Sequence, residues 1–209
     1  MTSQTIREEP TVYIVDDDDA VRESLVFLMK SIRQKTEAYP NAQAFLDSGH
    51  DNKPGCLLLD IRMPGMSGLE LQEKLKQKGS LLPIIFITGH GDVPMAVKAI
   101  KAGAADFVQK PFRDQELIDR IREVLEEDAQ ARADKLQRAE ILRRIDTLTE
   151  REREVMEQVV EGKANKVVAI DLSVSQRTVE IHRANVMEKM KARSLAQLVK
   201  LVMRARNEI

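Results

Sequence analysis

The 209-residue chain contains no tryptophan and a single cysteine, Cys56. One cysteine excludes an internal disulfide framework and a cysteine-built zinc site. Nine glycines and seven prolines are too few for collagen-like or mucin-like repeats, and a 43% hydrophobic content is too high for a disordered chain. No apolar run approaches the roughly 20 residues of a membrane helix, and residues 1–10 lack the apolar core of a signal peptide. The expectation is a cytoplasmic protein with no membrane partner. Walker lysine, GxGxxG and GxSxG patterns are also missing, which removes support for nucleotide-binding and acyl-transfer enzymes.

The length suits two modest domains, since domains commonly run about 100–150 residues. The net charge of −1 conceals an uneven distribution. Residues 1–112 hold 13 Lys/Arg against 15 Asp/Glu, whereas residues 146–209 hold 12 against 10. Between 175 and 206, eight basic residues face only Glu180 and Glu188. A polyanion is therefore a candidate partner for the C-terminal end.

The first 112 residues alternate β-rich apolar runs with amphipathic stretches. Strands are predicted at Thr11–Val15, Thr36–Tyr39, Cys56–Leu59, Ile84–Ile87 and Asp106–Gln109. Helices are predicted over 20–32, 41–48, 67–77 and 93–102, the last capped by Asp92. Strands separated by helices imply parallel crossovers and a sheet covered on both faces. The expected fold is α/β, a doubly wound five-stranded parallel sheet of flavodoxin-like type, followed by an all-α helix-turn-helix domain. Residues 113–145 lack Pro and Gly and read as one long helix, with a solvated connector through Asp128–Lys135 or, alternatively, a coiled coil. Beyond it, Thr149 and Glu152 are spaced as a capping box. Two short helices then meet at a turn over Ser173–Ser175.

Ligands of an open parallel sheet bind beyond the carboxyl ends of its strands. Asp16 and Asp17 follow the first predicted strand, Asp60 the third, Thr88 the fourth and Lys110 the fifth. Taken singly, these read as a solvated loop, a strand-end hydroxyl and a surface charge; their joint placement converges them on one edge. Three ionised carboxylates together require a cation, and a hard ion such as Mg²⁺ or Mn²⁺ suits oxygen ligands. Asp60 can then attack an activated phosphoryl group, with Lys110 and the metal neutralising its oxygens and Thr88 offering a hydroxyl. Asp18 and Asp19 read as helix-start acids. His90 and Cys56 read as structural.

The stretches Val15–Asp18, Asp60–Gly68, Thr88–Asp92 and Lys110–Phe112 resemble the motifs of the two-component receiver domain over about residues 11–125. The resemblance implies that Asp60 is the phosphoacceptor. It further implies that Asp16, Asp17, Asp60 and the backbone carbonyl of Arg62 hold the metal, that a cis Lys110–Pro111 bond is present, and that Thr88 and Phe107 form the switch. Phe107 has no hydroxyl and can respond only by packing. Pairing through the fourth and fifth helices, 93–102 and 113–125, is a further implication.

Residues 142–206 resemble the LuxR-type helix-turn-helix domain, most clearly at Thr178–Asn185 with Leu148–Glu152 upstream. The two halves together resemble the FixJ subgroup of response regulators. The implied organisation is a receiver domain at 11–125, a helical linker at 126–145 and a DNA-binding domain at 146–209. Thr178, Ile181, His182 and Asn185 share one helical face and are candidates for base edges; Arg177 and Arg183 border it, and Lys166 and Lys189 are candidate phosphate contacts. Glu180 can accept from a cytosine amino group or remain a solvated charge. Val179, Val186 and Met190 read as core.

The function implied is a DNA-binding response regulator, not an enzyme. A sensor histidine kinase phosphorylates Asp60, the chain forms a homodimer, and double-stranded promoter DNA is bound, with RNA polymerase a further candidate partner and activation the expected outcome. One rival is a metal-dependent phosphohydrolase, disfavoured because Arg62 stands where a second acid would be needed. The other is a phosphorylation-independent DNA binder, disfavoured by the intact acidic site.

Overall fold

The structure is a computed structural model that describes residues 9–89 and 93–206, with backbone alone at Val93. The chain divides into two compact units between Ala131 and Arg132. The expected cap at Asp92 and the structural reading of His90 fall outside the described residues.

The first unit runs β1 (Thr11–Val15), α1 (Asp19–Ser31), β2 (Thr36–Tyr39), α2 (Ala42–Asp47), β3 (Gly55–Asp60), α3 (Gly68–Gln77), β4 (Ile84–Thr88), α4 (Val93–Lys101), β5 (Asp106–Gln109) and the start of α5 (Asp114–Asp146). All strands pair in parallel, in the order β2-β1-β3-β4-β5. The doubly wound sheet expected from the alternation of strands and helices is therefore present.

Why the strands read as continuous apolar runs is clear from their two faces. Successive strand side chains point to opposite sides. Tyr13, Val15, Leu57, Leu59 and Phe86 join Phe45 of α2 and Leu71 and Leu75 of α3 in one cluster. Val12, Ile14, Leu58, Ile85 and Ile87 join Leu25 and Met29 of α1 and Leu117 and Ile121 of α5 in the other. Both faces are covered, so no polar alternation survives in β1, β3 or β4. Asp18 caps α1 by accepting from the amides of Ala20 and Val21, and Ser67 with Glu70 forms a capping box on α3.

One element departs from the sequence reading. Asp128 is not part of a solvated connector: it is buried, and its Oδ2 accepts the Gly55 N–H at 3.1 Å. Gly55 must lack a side chain, because a Cβ there would sit 1.9 Å from the Thr11 carbonyl oxygen. The broken apolar stripe hid a polar anchor that an apolar pattern cannot report.

The second unit contains the end of α5, then α6 (Glu150–Val160), α7 (Asn165–Asp171), α8 (Gln176–Lys189) and α9 (Leu195–Arg206). Ile141, Leu148, Val155, Val159, Val168, Leu198 and Val202 form its core with Val179, Val186 and Met190, the three residues the pattern assigns there. Thr149 and Glu152 make the predicted capping box, and Ser175 caps α8 through the Thr178 amide. Between α7 and α8 the backbone turns at Ser173, which has φ +54°. Among the described residues no helix is long and apolar enough to cross a membrane.

Candidate functional site

The strand order reverses direction between β1 and β3, and their carboxyl ends carry Asp16 and Asp60 side by side. Such a reversal opens a crevice at the sheet edge. Here it is an open cleft of about 450 Å³ lined by Asp16, Asp17, Asp18, Val21, Asp60, Arg62, Thr88, Gly89 and Lys110. The residues expected to converge from four distant points of the chain do so.

Lys110 organises the cleft. Its Nζ donates to Asp16 Oδ2 at 2.7 Å and to Asp60 Oδ1 at 3.2 Å. The peptide Lys110–Pro111 is cis, and the Lys110 amide donates to the Thr88 carbonyl at 2.7 Å. Asp60 Oδ2 accepts the Arg62 N–H at 2.7 Å, and Asp16 Oδ1 accepts the Asp18 N–H at 2.9 Å. Asp16, Asp60 and Thr88 are buried, while Asp17 and Arg62 are exposed at the cleft. Phe107 on β5 is half-buried, pairs in register with Phe86 and packs on the core.

Burial raises the Asp60 carboxyl above its ordinary value, against the opposing charge of Lys110 and the Arg62 amide. Burial pulls the Lys110 ammonium down, but the hydrogen bonds and charges of Asp16 and Asp60 outweigh it and leave the group raised. Lys110 is thus held as a cation. Lys110 and Arg62 are two basic groups against the four acids Asp16, Asp17, Asp18 and Asp60, so the cleft retains negative charge. Among the described residues no three His, Cys, Asp or Glu side chains already converge as a metal-ligand group. An oxygen-only, open and negative site fits a small hard cation that keeps several waters, and Mg²⁺ has that habit.

Two features escaped the sequence reading. Arg22 Nη1 donates to the Asp16 carbonyl at 2.7 Å and also pairs with Asp19, fixing the loop after β1. Gly68 opens α3 against Asp60: a Cβ there would lie 2.2 Å from the Asp60 carbonyl oxygen. The signal was its place at the end of the receiver-like stretch Asp60–Gly68, which assigned it no role of its own.

In the second unit, the candidate DNA residues separate into two groups. Lys166, Arg177 and Ile181 are exposed, with the Arg177 side chain 81% exposed and its contact to Glu180 a long 3.4 Å. Thr178, His182 and Asn185 are half-buried, and Thr178 shares a hydroxyl contact with Ser175. Arg183 Nη1 donates to Asn165 Oδ1 at 2.8 Å, bracing α8 against α7. Lys189 Nζ turns to Glu152 Oε2 at 2.6 Å and to the Thr147 carbonyl at 3.2 Å. Spacing alone could not reveal these two internal partners, because each lies on another helix.

Comparison with known proteins agrees with this division. Residues 12–122 match the response regulator receiver domain, and residues 146–202 match the bacterial regulatory proteins of the luxR family. The transcriptional regulatory protein FixJ of Azorhizobium caulinodans is 49% identical over 95% of this chain and 94% of its own length. The response regulator protein TodT of Pseudomonas putida is 46% identical over 95% of this chain and 87% of its own. The low-resolution structure of the response regulator StyR superimposes with a TM-score of 0.84 at 44% identity, covering 94% of this chain and 99% of that one.

Proposed function

Because the chain belongs to the response regulators that join a receiver domain to a LuxR-type DNA-binding domain, we propose that Asp60 is its phosphoacceptor and that phosphorylation there sets the affinity of residues 146–209 for promoter DNA. The chain is a phosphorylation-dependent regulator of transcription rather than an enzyme. The observation that carries the Asp60 assignment is the pair of Lys110 contacts, 2.7 Å to Asp16 and 3.2 Å to Asp60. They hold a cation where a phosphoryl group on Asp60 would place its oxygens.

The phosphoryl donor is a sensor histidine kinase. An Asp60 carboxylate oxygen attacks phosphorus, the P–N bond of the phosphohistidine breaks, and its electron pair returns to the imidazole nitrogen. Asp16, Asp17, Asp60 and the Arg62 carbonyl are the residues to hold Mg²⁺ or Mn²⁺, which when bound supplies positive charge to the phosphoryl oxygens. Lys110 pairs with one of those oxygens and the Thr88 hydroxyl donates to another. Phe107 answers by repacking, as it has no hydroxyl to redirect. The receiver spans 11–125 and the DNA-binding domain 146–209; in the joining helix, 126–145, Asp128 is anchored to the first unit and Ile141 belongs to the core of the second. Phosphorylated chains pair through 93–102 and 113–125, and two linked recognition helices gain affinity through effective concentration. The chain acts in the cytoplasm and activates transcription with RNA polymerase.

At the DNA end, Lys166 and Arg177 contact phosphate, and Thr178, Ile181, His182 and Asn185 supply the surface toward the major groove. Arg183 and Lys189 contribute by holding α8 in place in addition to any phosphate contact.

The test is labelling by radioactive acetyl phosphate in the presence of Mg²⁺. The native chain takes up acid-stable, base-labile label and Asp60→Asn takes up none. Undiminished labelling of Asp60→Asn contradicts the assignment.

A further inference from the structure

The outward stripe of α8 is Arg177, Ile181, Ala184 and Glu188, all exposed and spaced at helical repeats on the side away from buried Val179 and Val186. Its centre is apolar. Ile181 leaves 51% of its surface open to solvent, whereas the neighbouring polar groups are partly committed elsewhere: Thr178 to Ser175 and Arg183 to Asn165. An isolated exposed isoleucine is ordinary on a protein surface. This one is the exposed member of the Thr178, Ile181, His182 and Asn185 face, and it stands beside Ala184, small enough to permit close approach.

Resting on the reading of α8 as the recognition helix, we infer that Ile181 is a specificity-determining residue that reads the 5-methyl group of a thymine. The chemistry of the groove dictates this choice. Major-groove edges of adenine, guanine and cytosine present donors and acceptors, while thymine alone adds a methyl group. Ile181 offers no hydrogen bond. Against a polar edge it would strip water from groups it cannot satisfy, which is unfavourable. Against a methyl group it buries apolar surface on both sides. The bound site therefore carries a thymine at a fixed position for each recognition helix.

The experiment uses the full chain treated with acetyl phosphate and Mg²⁺. Preferred duplexes are selected from a random pool, and each thymine of the selected site is replaced in turn by deoxyuridine, which lacks only the methyl group. At one thymine per bound helix, affinity falls about fourfold, the equivalent of one buried methyl group at ~0.8 kcal/mol. In Ile181→Ala that drop disappears, while the responses to all other replacements stay as in the native chain. Ile181→Val keeps the branched side chain, one methylene shorter, where Ala ends at Cβ, and retains part of the drop. The inference is overturned if no thymine responds to loss of its methyl group, or if Ile181→Ala responds as the native chain does; a selected sequence in either case leaves the DNA-binding reading standing. Failure to select any sequence overturns both.

Discussion

Removing the Glu152 carboxylate should loosen the second unit well beyond the loss of an ordinary surface ion pair. Glu152 is only 3% exposed. It accepts from Lys189 Nζ at 2.6 Å and from the Thr149 amide at 2.9 Å, so it closes the start of α6 and ties it to the end of α8. The Lys189 hydrogen bond and then the Thr149 amide pull its carboxyl down to about 2. Charge-assisted hydrogen bonds contribute ~1.5–3 kcal/mol each, and Lys189, 35% exposed in its side chain, regains water when its partner goes. Glu152→Ala is therefore expected to cost about 2–4 kcal/mol. Hydrogen exchange read peptide by peptide isolates this unit: the slowest amides of 150–202 should exchange about 30-fold to several hundred-fold faster, since ~1.4 kcal/mol is tenfold. Amides of β1, β3 and β4 should not change. Because the folded carboxyl lies below its unfolded value near 4.5, its stabilisation is present above that pH and is lost as pH falls toward 2. Less than threefold faster exchange in Glu152→Ala, or an equal acid sensitivity in native chain and variant, would mean that the Glu152 carboxylate does not tie α6 to α8.

Two further outcomes follow from the geometry. Gly68→Ala puts a Cβ against the Asp60 carbonyl, and overpacking of this kind costs about 1–3 kcal/mol; phosphoryl uptake from acetyl phosphate should slow at least tenfold, and an unchanged rate would mean that α3 does not position Asp60. Arg177→Ala removes an exposed, loosely held guanidinium and should lower the slope of log affinity against log salt by about 0.9; an unchanged slope would place Arg177 away from the phosphates.

Much of this was legible in the sequence because it rests on local rules. The runs at Thr11–Val15 and Ile84–Ile87 are buried on both faces, and a doubly covered parallel strand has no other signature. Asp16, Asp60, Thr88 and Lys110 were legible because strand ends in such a sheet share one edge. Asp128 was not, since its partner is a backbone amide on a strand more than 70 residues away in the chain. The binding partners of Lys189 and Arg183 were hidden for the same reason: both read as free basic charges until other helices bring Glu152 and Asn165 to them.

The most direct measurement is the affinity of the full chain for its selected duplex, with and without acetyl phosphate and Mg²⁺, in the native protein and in Asp60→Asn. The phosphodonor should tighten binding at least tenfold in the native chain and leave Asp60→Asn unmoved. Equal tightening in both, or none in either, would contradict the claim that the carboxylate at the end of β3 governs DNA binding.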